Sequence, residues 1–208
     1  MNKKREEKMK VIFGTTNQGK IDQVKGFMEY KKIDIEFISL KDIGFNEDII
    51  ENGETIEENS LIKAKAIKEF CNKNNINEII VTDDAGLFVD ALDGEPGVHT
   101  ARYAGDHAPQ IECINKLLTE LKDVPDEKRG ATFACVLTAI LRNGEVVSCR
   151  GETRGKIVRV PGTMGKLTYG PVLKPDGLDR VINDLTEEEL GLTHRDKAWL
   201  ELVNKIKN

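Results

Sequence analysis

The chain has 208 residues, of which 39% are hydrophobic and 32% charged, and 31 Lys and Arg against 36 Asp and Glu leave a formal net charge of −5. That length buries enough surface to fold without a disulfide or metal staple. Its apolar runs fall well short of the roughly 20 residues of a membrane span, and its mildly acidic balance excludes a broad basic face for nucleic acid. One domain is expected over residues 1–208, with a charged disordered extension at 1–8. The apolar run behind that extension, Val11 to Phe13, is too short for a signal peptide, so the expected location is cytoplasmic.

In chain order, Val11 to Phe13 reads as a short buried strand. It passes through Gly14-Thr15-Thr16-Asn17-Gln18-Gly19 into a helix near Lys20 to Tyr30, and the alternation of Ile33, Ile35 and Phe37 gives a second strand. A polar acidic loop, Asn46 to Gly53, precedes a helix that opens on a Thr55/Glu58 capping box and carries one apolar stripe at Ile62, Ala66 and Phe70. Ile79-Ile80-Val81 reads as a buried strand ending in a turn that presents Asp83 and Asp84. A helix from about Ala108 to Leu121 follows, then three β segments at 131–141, 145–150 and 156–160. Asn143-Gly144 separates the first two and Gly151 to Gly155 the last two. A glycine-rich connection at 161–171, a capped helix start at Thr186 and a last helix near Asp196 to Ile206 complete an α/β chain with a mixed sheet and flanking helices. Cys71, Cys113, Cys135 and Cys149 form no Cys-x-x-Cys pair and read as inert reduced thiols.

Three constellations carry chemistry. Between strand and helix, the backbone N–H groups of Thr15 to Gly19 and the Lys20 ammonium suit phosphate oxygens. Ile21 stands where a Walker loop needs a metal-binding hydroxyl, which argues against a P-loop kinase. Asp83 and Asp84, with one carboxylate of the acidic cluster Glu47, Asp48, Glu51 and Glu54, suit Mg²⁺ completed by phosphate oxygens, and Lys63 is expected at the edge of its helix, reaching back toward the loop that holds Glu51. Finally, Thr193-His194-Arg195 offers two planar donors for a base edge or a phosphate.

Together these segments resemble the inosine triphosphatase family, also called Ham1-like non-canonical purine NTP pyrophosphatases. Thr15-Thr16-Asn17-Gln18-Gly19-Lys20 looks like the family's Thr-Gly-Asn-x-x-Lys, Glu51 to Ala64 like its Glu-x-Gly-x-Thr-x-x-Glu-Asn-Ala-x-x-Lys-Ala, and Asp83-Asp84-Ala85-Gly86-Leu87 like its Asp-Asp-Ser-Gly-Leu. Leu92 to Val98, Ala101 to Gly105 and Thr193-His194-Arg195 match further family segments in the same order. The resemblance implies two lobes around a central cleft, a homodimer, Mg²⁺ as cofactor, and cleavage of a purine nucleoside triphosphate such as ITP, dITP or XTP to monophosphate and pyrophosphate. It also implies roles for individual residues. Glu51, Asp84 and, in support, Asp83 would serve the metal, and Asp84 would activate water with Lys63 beside it. Thr15 to Lys20, Ala85, Leu167 to Gly170, His194 and Arg195 would bind substrate.

The departures fall on the base side. Leu167-Thr168-Tyr169-Gly170-Pro171 stands for the family's Phe-Gly-Tyr/Trp-Asp-Pro, Glu189 for a lysine, Ala85 for a serine and Asp196 for a glycine. A second reading follows from them, in which the chain binds a nucleotide with little turnover and signals to a protein partner.

Overall fold

The computed structural model describes residues 8–165 and 167–207. The extension expected at 1–8 therefore lies, except for Lys8, outside the described residues. Seven strands form one mixed sheet in the order β2-β1-β3-β5-β6-β7, with β4 on a spur beside β3. β1 (Met9–Phe13) runs parallel to β2 (Ile35–Ser39) and β3 (Ile79–Val89), since α1 (Gln18–Tyr30) and α2 (Ile56–Lys73) are crossovers that return the chain to the same end. The remaining pairs are antiparallel. β3 pairs with β5 (Gly130–Ile140), β5 with β6 (Val146–Ile157), and β6 with the short β7 (Leu173–Pro175).

Two expected breaks are absent. β3 does not turn at Asp83-Asp84 but continues to Val89, because its antiparallel ladder with β5 runs from Ile80 to Val89. The segment expected at 145–150 and the start of that expected at 156–160 are one strand, β6, which ends at Ile157. Gly151 and Gly155 lie inside β6 because neighbouring backbone crosses there: a Cβ at Gly151 would overlap the His194 carbonyl and reach the Ala198 nitrogen at 2.7 Å, and one at Gly155 would strike Lys174.

Strand alternation sorts β3 onto two faces. Ile79, Val81 and Ala85 join a core with Phe13, Phe27 and Met28, and with Trp199 and Leu202 of α5 (His194–Lys207). Leu87, on the same face, joins Ile114 and Leu117 of α3 (Gln110–Glu120) in a second core. Ile80 faces the other way, with Ile12, Ile67 and Cys71 under α2. All four cysteines are free and buried in these cores.

Between the two parts of the first face the sheet is interrupted. β1 ends opposite Val81 and β4 (Pro96–Gly97) begins opposite Leu87, so Thr82 to Gly86 have no strand on that edge among the described residues. On the edge of β6 away from β5, the pairing among the described residues runs from Gly155 to Ile157 only. There Lys197 Nζ donates to the Glu152 carbonyl at 2.7 Å and Lys205 Nζ to that of Ser148 at 3.3 Å, so ammonium groups of α5 cover the open edge.

Candidate active site

The interruption in the sheet is where the chemistry gathers. Gly14 leaves β1 in a close approach that admits no side chain, with Ile67 and Thr82 both 2.6 Å from a Cβ placed there. The loop then turns into α1. Asn17 caps the helix by accepting from Lys20 N at 3.2 Å, and Thr15 Oγ1 accepts from Asn17 N at 3.2 Å. Thr16 to Gly19 are exposed at this N-terminus, where backbone N–H groups and the helix dipole favour an anion. Lys20 leans back from it to donate to the Asp83 carbonyl at 3.2 Å.

Asp83 and Asp84 are neighbours in sequence and opposites in surroundings. Asp83 points to the α1/α5 face and is fully buried. Its Oδ2 accepts from Arg195 Nε at 2.6 Å and from Cys135 Sγ at 3.3 Å, and its Oδ1 pairs with Lys20 and with Arg195 Nη2. Burial alone would raise this carboxyl, but the charges of Arg195 and Lys20 outweigh it and hold Asp83 well below the usual carboxylate range. Both oxygens are spoken for, so Asp83, expected as a supporting metal ligand, serves instead as the counter-ion that orients Lys20 and Arg195.

Asp84 points to the α2 face. Lys63 Nζ lies 3.1 Å from its Oδ1 and 2.7 Å from Glu51 Oε2. Lys63 is not at the edge of α2 as expected but on its buried side, which runs through Ile56, Ser60, Ala64, Ile67 and Cys71, with Ile62, Ala66 and Phe70 flanking it half-buried. A lysine is tolerated there because two carboxylates meet it. Burial raises Asp84 and the attraction of Lys63 only partly offsets it, whereas Lys63 is itself raised, the two carboxylates outweighing its own desolvation. The trio carries two negative charges against one positive. Glu51 is brought in by α2's own start, where Thr55 and Glu58 form the expected capping box and Asn59 Oδ1 accepts from Gly53 N at 2.8 Å. Lys65, two residues on, is exposed on the outer side.

A cavity of about 380 Å³ runs along α1, bordered by Gly19, Gln23, Phe27, Leu167, Leu192, Thr193 and Asp196 among others. Of the segment Leu167 to Gly170, Leu167 alone reaches it. Tyr169 is buried with its hydroxyl donating to the Thr100 carbonyl at 3.1 Å, Gln110 Nε2 holds the carbonyls of Leu167 and Thr168 at 2.9 and 2.6 Å, and the Asn183 side chain occupies the space over Gly170. His194 and Arg195 do not border it either. The His194 ring stacks on Phe133 with centroids 4.2 Å apart, and neither ring nitrogen has a partner among the described residues. Burial, reinforced by Arg195, holds that imidazole well below its usual range and so neutral. Ala85 packs beside the α1/α5 core. Glu189 completes a capping box with Thr186 at the start of α4 (Glu187–Leu190) and pairs with Arg180, so its charge is used locally.

Sequence reasoning missed Gln23 and noted Asp196 only as standing where the family has a glycine. Gln23 sits three residues after Lys20, one turn along the same helix, and that spacing was the available signal. Its amide takes Arg195 Nη1 at 2.7 Å and gives Nε2 to Thr193 Oγ1 at 3.0 Å, while Asp196 caps α5 by accepting from Thr193 N and Oγ1 at 3.0 and 2.7 Å.

A mixed sheet whose edge is open between β1 and β4, with an exposed helix start and a carboxylate–lysine cluster at the opening, is an arrangement suited to phosphate groups. The sequence model of the Ham1 family matches residues 11–205. A dITP/XTP pyrophosphatase of Thermoanaerobacter pseudethanolicus is 40% identical over 199 residues, 95% of this chain and 96% of its own. One of Bacillus subtilis is 35% identical, covering 92% of this chain and 93% of its own. The structure of the Staphylococcus aureus Ham1 protein superposes with a TM-score of 0.81 at 29% identity, over 95% of this chain and 98% of that one. The chain therefore belongs to the Ham1 family.

Proposed function

We propose that the protein is a Mg²⁺-dependent pyrophosphatase that hydrolyses non-canonical purine nucleoside triphosphates, dITP, ITP and XTP, to the monophosphate and pyrophosphate. The observation that carries this reading is the Lys63 ammonium shared by Glu51 and Asp84 at the break in the sheet, beside the anion-binding start of α1. Relatives covering nearly the whole chain and bearing the name dITP/XTP pyrophosphatase support turnover over binding alone.

The residues fit a hard divalent cation. Glu51 and Asp84 offer oxygen donors on either side of one cation already, and the trio's surplus negative charge and the raised Asp84 carboxyl are relieved by a second. No cluster of three or more His, Cys, Asp or Glu side chains suited to a metal exists among the described residues, so substrate phosphates and water would complete the shell. When bound, Mg²⁺ supplies charge neutralisation for the phosphate oxygens.

The chain's own groups do the rest. The N–H groups of Thr16 to Gly19 and Lys20 hold the polyphosphate, which leaves the α-phosphorus facing the Asp84 side. Asp84, lifted by burial toward the range of a useful base, takes the proton of the attacking water. Lys63 stays charged and steadies both carboxylates as negative charge moves onto the leaving pyrophosphate. Leu167 supplies an aliphatic wall for the base in the cavity beside α1.

The test is product analysis. Purified protein with Mg²⁺ is given ITP, dITP, XTP, GTP and ATP, and pyrophosphate and monophosphate are quantified. Release selective for the deaminated bases is the expected result; nucleotide binding with no release from any of them would instead establish the nucleotide sensor.

A further inference from the structure

We infer that Gln23 is a specificity-determining residue whose side-chain N–H reads the carbonyl at position 6 of an oxopurine, an inference that rests on the cavity beside α1 being the base pocket. Gln23 borders that cavity together with Gly19, Leu167, Leu192 and Thr193. An amide can ordinarily present either its oxygen or its nitrogen, since the two ends are nearly the same shape. Here both neighbours remove that freedom.

Arg195 only donates, so the group that meets its Nη1 at 2.7 Å must be Gln23 Oε1. Thr193 confirms the same orientation from the other end. Its hydroxyl proton is committed to Asp196 Oδ2 at 2.7 Å, so toward Gln23 Nε2, 3.0 Å away, it can only accept. Arg195 is itself locked by Asp83, so the chain Asp83–Arg195–Gln23–Thr193–Asp196 fixes the amide from two sides. Gln23 Nε2 keeps a second hydrogen with no acceptor among the described residues.

The pocket wall therefore carries a donor that cannot be inverted. A purine with oxygen at position 6 meets it with an acceptor. Adenine meets it with an amino group, N–H against N–H, and rotation of the amide to relieve that clash would set Nε2 against the Arg195 guanidinium. The device separates 6-oxopurines from 6-aminopurines. It leaves guanine to be excluded by contacts around position 2.

Two variants test this, Gln23→Glu, which keeps an acceptor for Arg195 but replaces the N–H by oxygen, and Gln23→Met, which removes both. For each, kcat/KM is measured for dITP and dATP, the affinities for IMP and AMP are measured by calorimetry, and thermal unfolding reports the fold. The expected result is a fall of about tenfold or more in the dITP-to-dATP and IMP-to-AMP ratios in Gln23→Glu, and a smaller fall in Gln23→Met. Both ratios unchanged in folded variants, with rates for the two substrates falling together, would reduce Gln23 to a structural brace and overturn the inference while the pyrophosphatase reading stands. A wild type that binds IMP no better than AMP and hydrolyses dITP no faster than dATP would overturn the pocket assignment and the inference with it. Should Gln23→Glu fail to fold, Gln23→Met decides between these outcomes.

Discussion

On the α1/α5 face of β3, a carboxylate is fully enclosed, matched by two cations and held ionised; on the α2 face, the next residue's carboxylate shares one ammonium with Glu51 and is pushed toward protonation. The strand's alternation alone separates them. The first arrangement encloses its carboxylate between two cations with every oxygen partnered and so holds structure, whereas the second has an excess negative charge that a bound cation would balance. A protein can thus place a scaffold ion pair and a reactive carboxylate at consecutive residues by sending them through opposite sides of one sheet.

The largest expected effect breaks the reactive side. Asp84→Asn should lower pyrophosphate release roughly a thousandfold, the size of a lost general base, with far-UV dichroism unchanged; a variant retaining wild-type turnover would remove Asp84 from the mechanism. Asp83→Asn attacks the scaffold side, leaving Lys20 and Arg195 without their counter-charge, and should cost about 3–5 kcal/mol in urea unfolding. If the two substitutions proved equally destabilising, the contrast between the faces would fail. Gly151→Ala forces the start of α5 off β6 and should cost about 1–3 kcal/mol, with a loss of nucleotide affinity because Arg195 and Thr193 move with the helix.

Acidity sharpens the comparison further. Asp83 has a lowered carboxyl, so its contribution to stability is present above the unfolded value of about 3.9 and is lost as pH falls from there toward its folded value. Asp84 has a raised carboxyl, so ionising it costs stability at neutral pH, and that cost disappears as pH falls through its folded value. Asp84→Asn should accordingly be more stable than wild type at pH 7, by a margin that shrinks on acidification; a margin that grew would reverse the assigned shift. The smallest effect is that of Thr55→Ala, about 1 kcal/mol from the lost cap of α2, accompanied by weaker Mg²⁺ activation because the Glu51 loop hangs on that helix start.

The order of the longer elements from β1 to β5, the Thr55 and Thr186 capping boxes and the Asn143-Gly144 hairpin were legible because each rests on local chemistry. The reach of Lys63 toward the loop of Glu51 was legible too, whereas Glu51 and Asp84 were singled out by the family resemblance and not by local chemistry. What escaped was decided by distant neighbours. Gly151 looks like a break until α5 is laid across it, and Asp83-Asp84 looks like a turn until β5 extends the ladder beyond it. The surroundings of Arg195 and His194 escaped for the same reason. A His-Arg pair at a helix start reads as a pair of free donors, but Asp83 lies 112 residues from Arg195 in sequence and Phe133 comes from another strand, and these partners turn both side chains inward.

The two lysines of α5 that cover the open edge of β6 bear on how the chain behaves among its own copies. An unpaired strand of this length is a template on which a passing chain could add a strand, most of all while the protein is still folding. With ammonium groups seated on the carbonyls of Ser148 and Glu152, that addition has to displace charge before it gains a hydrogen bond. Resistance to strand addition along this edge is thereby lodged in α5.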